Sequence, residues 1–247
     1  MSEQPLRGKV ALITGAGSGL GEATARAFAR AGCAVACLDI RQEAAARVAG
    51  ELEREGVRAL ALRCDVGDAS SIFGAVEQAA SQLGRVDFAV NNAAIDHTLS
   101  VEDMTVAQWD QVLSINLRGP FVMAKAVMPL MRQVGGGHIV NIASTAGVRA
   151  WANTSAYHAS KWGVIGLGRA IGVEGRADNI RVTTIIPGGM RTHFFDRFAD
   201  QGIPMPPQEN LQDPANVAAS IIFAVSMPGN SVVQELMVTP MTESSWP

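Results

Sequence analysis

The amino-acid sequence predicts an α/β fold, a doubly wound parallel sheet of seven strands with helices on both faces. The first observation behind this prediction is alternation, because short apolar or β-branched runs take turns with longer segments of helical period. Such alternation is typical of parallel strands joined by crossover helices. The second is a hydrophobic content of 48%, which is enough to cover both faces of a buried sheet.

Seven strands and six helices are predicted along the chain. The strands are Val10–Thr14, Ala34–Asp39, Val57–Cys64, Asp87–Asn91, His138–Ala143, Ile180–Ile186 and Val232–Val238. The helices occupy about 19–31, 42–55, 70–83, 105–134, 156–178 and 214–227. No linker or internal repeat divides the 247 residues, so we expect one domain, 1–247. Right-handed crossovers give a Rossmann-like sheet, and ligands of such sheets bind beyond the carboxyl ends of the strands.

Composition argues against several classes of protein. The net charge of −3 gives no footprint for nucleic acid, and the apolar runs are too short to span a membrane. The first residues, MSEQPLRGK, lack the apolar segment of a signal peptide, so we expect a cytoplasmic protein. The three cysteines and four histidines have no metal-ligand spacing, so we expect buried, reduced thiols and no metal.

A glycine-rich segment, TGAGSGLGEATARAFA, follows the first predicted strand. Gly15, Gly19 and Gly21 allow a tight turn, a close backbone approach and packing of the next helix on the strand. The N-terminus of that helix then faces an anionic pyrophosphate. Glycine-rich turns also occur for backbone reasons alone, but here a strand precedes the segment and a helix follows it.

Asp39 ends the second strand, 18 residues after Gly21. A carboxylate at this place hydrogen-bonds the hydroxyls of an adenosine ribose and repels a 2′-phosphate, which predicts NAD rather than NADP. Arg41, two residues further on, is the argument for NADP. The alternative role for Asp39 is to cap the helix at 42–55, although a cap does not explain its distance from the glycines.

The segment SAYHASKWGVIGLGRAIGVEG places a tyrosine and a lysine on one helix face. Tyr157 and Lys161 are four residues apart, and such positions are neighbours on a helix. An ammonium beside a phenol favours the phenolate, and so lowers a phenol pKa that starts at about 10. Tyr157 is therefore a candidate general acid and base. Ser144, just beyond the fifth strand, is a candidate hydrogen-bond partner of the substrate oxygen.

These motifs, TGxxxGxG and YxxxK, resemble the short-chain dehydrogenase/reductase family from about residue 7 to the end of the predicted sheet. The resemblance implies a Rossmann fold and a catalytic tetrad of Asn116, Ser144, Tyr157 and Lys161. In it, Asn116 kinks its helix and orients a water near Lys161. The implied cofactor contacts are Gly15, Ser18, Gly19, Leu20, Gly21, Asp39, Ile40, Asp65, Val66, Asn92, Ala93, Ala94, Tyr157, Lys161, Pro187, Gly188, Met190 and Thr192.

The sequence departs from the family pattern in two places. Ala94 stands where the family usually has glycine, and we expect a slight adjustment of the backbone there. The usual Val-Asp-Gly-Gly ending is missing, and the last strand reads VVQELMVTPMTESSWP. Subunit contacts that the family builds from this tail are therefore left open.

The resemblance also implies a homo-oligomer, a tetramer or alternatively a dimer, paired through its long helices. Small residues at helical spacing on 156–178 predict a close helix contact there: Ala159, Gly163, Gly166 and Ala170. Packing of the glycines on the sheet alone is the other interpretation.

The function predicted is an NAD-dependent oxidoreductase that acts on a secondary alcohol or ketone, with Tyr157 as general acid and base. Three alternatives remain: an NADP-dependent reductase of 3-oxoacyl type, an epimerase or dehydratase, and a nucleotide-sensing protein of the same fold. Residues 190–213 are predicted to form a substrate lid, since loops of this length are uncommon unless functional. The residues predicted to line the rest of the pocket are Ile95, His97, Ala146, Trp151 and Asn153.

Overall fold

The structure, a computed structural model, describes residues 4–196, 198 and 202–243. The strands are β1 (Val10–Thr14), β2 (Ala34–Asp39), β3 (Ala59–Arg63), β4 (Phe88–Asn91), β5 (Gly137–Ile142), β6 (Ile180–Pro187) and β7 (Glu235–Val238). They form one sheet in the order β3-β2-β1-β4-β5-β6-β7, and every neighbouring pair is parallel. The predicted fold class is confirmed.

Helices cover both faces of this sheet. They are α1 (Gly19–Arg30), α2 (Gln42–Arg54), α3 (Ala69–Leu83), α4 (Val106–Leu113), α5 (Gly119–Gln133), α6 (Ser155–Glu174) and α7 (Pro214–Val225). One buried cluster joins α1, α2 and α7 to the sheet around Phe28, and another joins α3 and α5 around Met123 and Met131. In the part of the chain that the structure describes, no helix is long and apolar enough to cross a membrane.

The long helix predicted over 105–134 is interrupted at Asn116, where the family resemblance implies a kink. The chain forms α4, then a π-helical turn over Ser114–Arg118, then α5. Asn116, within this turn, is 1% exposed, and its side chain binds both backbone groups of Ile95, at 2.9 Å and 2.8 Å. The turn inserts an extra residue into the helix, which presents Asn116 to the loop after β4.

Two strands begin later than predicted, β3 at Ala59 and β7 at Glu235. Before β7 the chain is bound by side chains of β6. The side chain of Arg181 donates to the carbonyl of Met227 at 2.8 Å, and the hydroxyl of Thr183 donates to the carbonyl of Val233 at 2.6 Å. Side chains of β6 therefore hold the segment before β7, where ladder hydrogen bonds were expected.

The predicted helix 156–178 is α6 followed by a 3-10 turn at Gly175–Asp178. The glycines of α6 differ in what surrounds them. A Cβ at Gly168 would collide with Thr184 of β6, and a Cβ at Gly172 would touch Val182 at 3.6 Å. The sheet therefore requires or favours small residues at these two positions.

The predicted small-residue face of α6 is only partly outward. Gly163 lies over Leu117, where an added Cβ would come within 2.8 Å of the leucine side chain, so its place on that face was wrong. Gly166, by contrast, would have no neighbouring atom within 4 Å of a Cβ. Together with Ala159 and Ala170 it is exposed.

Candidate active site

A cavity of about 770 Å³ opens beyond the carboxyl ends of the strands. Most of the predicted site residues lie in its wall: Gly15, Ser18, Gly19, Leu20, Asp39, Ile40, Asp65, Val66, Asn92, Ala93, Ala94, Ser144, Tyr157, Lys161, Pro187, Gly188, Met190 and Thr192. Gly21 and Asn116 are not part of the wall and lie behind it. The size is in the range of cavities that enclose small ligands.

The glycine segment forms a tight backbone cradle at one end of the cavity. Gly15 and Gly19 have φ of 64° and 56°, a region in which side chains are disfavoured. A Cβ at Gly21 would collide with the carbonyl of Gly15. At Gly17, which the sequence reasoning missed, a Cβ would come within 2.6 Å of Ala44 and 2.8 Å of Asp39. These glycines leave the first N–H groups of α1 close to any anion in the cavity.

Asp39 is buried at the end of β2, with 6% of its surface exposed. Its Oδ2 accepts from the backbone N–H of Gly17 at 2.9 Å, and its Oδ1 accepts from that of Arg41 at 3.0 Å. It does not cap α2, because Arg41 occupies the N-cap position. The Arg41 side chain lies at the cavity mouth, where Nη2 donates to Ser18 Oγ at 3.2 Å.

The loop after β4 is tied to the glycine cradle through Thr14. The N–H groups of Asn92 and Ala93 donate to Thr14 Oγ1 at 3.0 Å and 3.1 Å, and Asn92 Nδ2 donates to the Thr14 carbonyl at 2.9 Å. Of the described non-glycine residues, only Asn153 and Asn179 have positive φ. Ala94 therefore occupies its position without backbone strain.

Tyr157 and Lys161 stand together on the first two turns of α6. Lys161 is 2% exposed, its Nζ donates to the Ile142 carbonyl at 2.8 Å, and Nζ lies 5.4 Å from the centre of the Tyr157 ring. Burial lowers the pKa of Lys161 to about 8. Ser144 lies in the loop after β5, where its hydroxyl accepts from the N–H of Ala146 at 3.1 Å. The geometry thus brings a phenol, an amine and a hydroxyl to one wall of the cavity.

Asn116 supports this wall from behind. Besides binding Ile95, its Nδ2 donates to Ser160 Oγ at 3.2 Å, and that hydroxyl donates to the Tyr157 carbonyl at 2.8 Å. The π turn is therefore connected both to the loop after β4 and to the start of α6.

The first part of the predicted lid, 190–213, lines the cavity through Met190, Thr192, His193, Phe194 and Phe195. A parallel bridge of Met190 with Gln212 fixes the base of the segment. The ring of Phe194 lies 5.5 Å from the ring of Tyr157. Thr192 lies against the glycine cradle, 3.2 Å from the position of a Cβ on Gly19. Residues 197 and 199–201 of this segment lie outside the described residues.

The predicted substrate-pocket residues divide into two groups. Ile95 and Trp151 line the cavity, but His97, Ala146 and Asn153 do not. His97 is turned away and bonds Gln111 through Nε2 at 2.9 Å, while Ala146 is fully buried. Asn153 takes a positive φ of 64° in an exposed turn.

Two charged residues of the cavity wall were missed, Arg149 and Glu243, which form an ion pair with each other. Arg149 follows Ser144 by five residues, in the loop beyond β5 where site residues are expected. Glu243 lies in the unusual tail, where the sequence gives no indication of what it touches.

The cysteines are buried, and burial raises the pKa of each thiol, Cys33, Cys37 and Cys64, to about 12. They are thus poor nucleophiles at neutral pH. Within 4–196, 198 and 202–243, no three His, Cys, Asp or Glu side chains gather as metal ligands would.

Comparison with known proteins adds relatives to this geometry. The model of the short chain dehydrogenase family matches residues 9–202. D-threitol dehydrogenase of Mycolicibacterium smegmatis is 37% identical over 226 residues, which cover 90% of this chain and 87% of that protein. Cyclohexanol dehydrogenase of an Acinetobacter species is 36% identical over 220 residues, 88% of each chain. An alcohol dehydrogenase structure from the archaeon Thermococcus sibiricus, complexed with 5-hydroxy-NADP, has a TM-score of 0.88 at 28% identity and covers 97% of this chain and 99% of that one.

Proposed function

The chain belongs to the short-chain dehydrogenase family, and on this premise we propose that it is an NAD-dependent oxidoreductase that interconverts a secondary alcohol and its ketone. Use of a nicotinamide cofactor on alcohol or carbonyl substrates follows from membership of the family and from its dehydrogenase relatives. The choice of NAD, the role of Tyr157 and the assembly are the proposal. The observation that carries it is the joint placement of Ser144, Tyr157 and Lys161 beside a glycine cradle in one cavity.

The residues present fit a dinucleotide. The glycine cradle and the N-terminus of α1 would hold the pyrophosphate, and the two oxygens of Asp39 would accept from the adenosine ribose. Asp65 and Val66 would flank the adenine, and the nicotinamide end would lie by Pro187, Gly188 and Thr192. When bound, the cofactor supplies or accepts the hydride. Asp39 favours NAD, whereas Arg41 at the cavity mouth and the 5-hydroxy-NADP complex of the Thermococcus sibiricus relative favour NADP.

The protein's own part in the reaction is to hold and move a proton. In alcohol oxidation, Tyr157 Oη takes the hydroxyl proton, and in ketone reduction it returns one. The ammonium of Lys161 favours the phenolate, and at about 5 Å and an effective dielectric of about 20 its attraction amounts to roughly 3 kcal/mol. Ser144 hydrogen-bonds the reacting oxygen. Asn116 links α6 to the loop after β4 through its hydrogen bonds to Ser160 and Ile95.

The direct experiment replaces the phenol and scans alcohols with both cofactors. We expect Tyr157→Phe to lower kcat by roughly a thousandfold and to leave the dissociation constant of NAD nearly unchanged, because only the hydroxyl is lost. Tyr157 is the one tyrosine among 247 residues, so the tyrosinate absorbance of the wild type reports this phenol alone. Tyr157→Phe is the spectroscopic blank for that titration.

Each outcome of the scan distinguishes a function. Turnover retained by Tyr157→Phe would contradict the acid–base role. Tight binding of NAD by the wild type, without turnover of any alcohol or ketone, would favour a nucleotide-sensing protein. Preference for NADP with 3-oxoacyl substrates would favour the reductase alternative.

We also propose that copies of the chain associate through the outer face of α6 and that 190–213 closes over the substrate. The outer face of α6 carries exposed Trp162 and Val173 beside Gly166, and Phe121 of α5 is half exposed. An apolar face of this kind supports an interface between subunits. Tetramer or dimer, and the cytoplasmic location, stay predictions.

A further inference from the structure

Three charged side chains belong to the wall of the cavity on the side of the catalytic groups. They are Lys161, Arg149 and Glu243. Lys161 is committed to Tyr157 and to the Ile142 carbonyl. Arg149 and Glu243 form an ion pair, with 17% and 16% of their side-chain surfaces exposed. The proposed chemistry uses neither of them.

Arg149 is fixed by the same loop that carries Ser144. Its N–H donates to the Thr145 carbonyl at 2.9 Å, directly after the 3-10 turn Thr145–Gly147. Gly147 packs this turn on α6, where a Cβ would come within 2.9 Å of the Lys161 carbonyl. These contacts hold the backbone of the loop that carries both Ser144 and Arg149, and the loop has no room to shift towards α6.

Glu243 reaches the same place from the other end of the chain. Its N–H donates to the Pro240 carbonyl at 3.0 Å, and its carboxylate lies on Gly188, where a Cβ would collide with it. The hydroxyl of Thr242 donates to the carbonyl of Glu209, so the tail is also attached to the lid segment. These contacts place a negative charge beside the turn after β6.

We infer that Glu243 determines charge selectivity at the substrate end of the cavity, by cancelling the charge of Arg149. The inference rests on the proposed function and names its substrate class: uncharged alcohols and ketones, with carboxylate-bearing hydroxy acids excluded. A guanidinium in a cavity wall binds carboxylates through paired hydrogen bonds. The carboxylate of Glu243 already pairs with this guanidinium. An anionic substrate would therefore find Arg149 paired and would be repelled by the charge of Glu243.

The test uses two substrates that share the reacting alcohol and differ at one end, where one carries a charge. β-Hydroxybutyrate and butane-1,3-diol carry the same secondary alcohol, and a carboxylate in the first replaces a CH₂OH group in the second. We expect the wild type to oxidise the diol with a kcat/KM at least about tenfold higher. Glu243→Gln keeps the shape and removes the negative charge, so the ratio should shift by about tenfold towards the hydroxy acid. Arg149→Gln leaves Glu243 uncompensated, so the ratio should shift further towards the diol.

Opposite shifts in the two variants identify charge as the cause, because a loosened tail would move both substrates in the same direction. Glu235→Gln is the matched control, since Glu235 pairs with Arg169 outside this cavity and should leave the ratio unchanged. Binding gives a second measurement that needs no turnover. Calorimetric dissociation constants of butyrate and butyramide, measured with NAD present, should change in the same sense as the kinetic ratio.

The inference and the proposed function fail separately. If the enzyme oxidises neither alcohol nor any other in the panel, the proposed function is contradicted, and the butyrate-to-butyramide ratio still tests Glu243. If the wild type prefers β-hydroxybutyrate, or if Glu243→Gln leaves both ratios unchanged, charge selection by Glu243 is overturned. If Glu243→Gln does not fold, Arg149→Gln is the second variant, and a ratio that it leaves unchanged also overturns charge selection.

Discussion

Replacing Asp39 by asparagine tests the cofactor site at a single charge. The carboxylate is held by the N–H groups of Gly17 and Arg41, at 2.9 Å and 3.0 Å, so its position is fixed before any cofactor binds. Asparagine has nearly the same shape and keeps one oxygen acceptor. The change therefore removes the charge, and one of the two backbone N–H groups, that of Gly17 or that of Arg41, loses its acceptor.

The expected size follows from Coulomb's law. A 2′-phosphate placed about 5 Å from this carboxylate is repelled by about 1 to 3 kcal/mol per unit charge, for effective dielectrics of about 80 to 20. That range corresponds to roughly 5- to 150-fold in affinity. We expect the wild type to prefer NAD by at least about tenfold, and Asp39→Asn to lose most of that preference. Arg41, whose Nε lies 3.7 Å from Oδ1, is then free to meet the phosphate.

The assay is kcat/KM for NAD and for NADP with one alcohol at saturation and one ionic strength. Asp68→Asn is the control, because Asp68 also accepts a backbone N–H, from Ser70 at 2.9 Å, but lies outside the cavity. A wild type that uses NADP as well as NAD would refute the reasoning. Loss of that NADP activity in Arg41→Ala would then identify Arg41 as the determinant.

Three further predictions concern stability and assembly. Gly21→Ala should lower Tm and weaken NAD binding, because a Cβ there collides with the Gly15 carbonyl. Gly74→Ala, on α3, has open space around its Cβ and should raise the free energy of unfolding by up to about 1 kcal/mol. Thermal unfolding of both variants measures the difference. Burial lowers the pKa of His138 from 6.5 to about 3, so the unfolded chain binds a proton that the native state does not. The free energy of unfolding should therefore fall as the pH is lowered from 6.5 to about 3, by at most about 1.4 kcal/mol per pH unit. Urea titrations of His138→Gln should lose this pH dependence. A Cβ at Gly166 meets no atom of its own subunit within 4 Å. Light scattering should therefore show dissociation of Gly166→Leu if α6 forms the interface, and a monomeric wild type would contradict that interface.

The pattern of the sequence was sufficient for the parts of the molecule that local chemistry decides. The alternation of strands and helices, the glycines after β1 and Asp39 at the end of β2 each have a reason that lies within a few residues. The structure places the glycines and Asp39 at the carboxyl edge of the sheet, as the rule for parallel strands requires.

The parts that failed depend on partners far away in the chain. The π turn at Asn116 binds Ile95, 21 residues earlier, and helical periodicity carries no information about that contact, although the family resemblance implied a kink at Asn116. Gly163 packs on Leu117, which the spacing of small residues did not reveal. Glu243 meets Arg149 across 94 positions, in a tail whose pattern matched no expectation.

The position of Glu243 has a consequence for how the protein is made. The cavity wall draws on residues from Gly15 to Glu243, so it is assembled from segments that leave the ribosome at well-separated times. Chains are synthesised at about 5–20 residues per second, and the glycine cradle is therefore exposed for many seconds before the tail is available. A nascent chain that already contains β1 to β6 has the groups to bind a dinucleotide but lacks one wall of the substrate end. Ribosome-stalled chains cut before Pro240 would separate these two capacities, with cofactor affinity retained and discrimination between charged and uncharged alcohols absent.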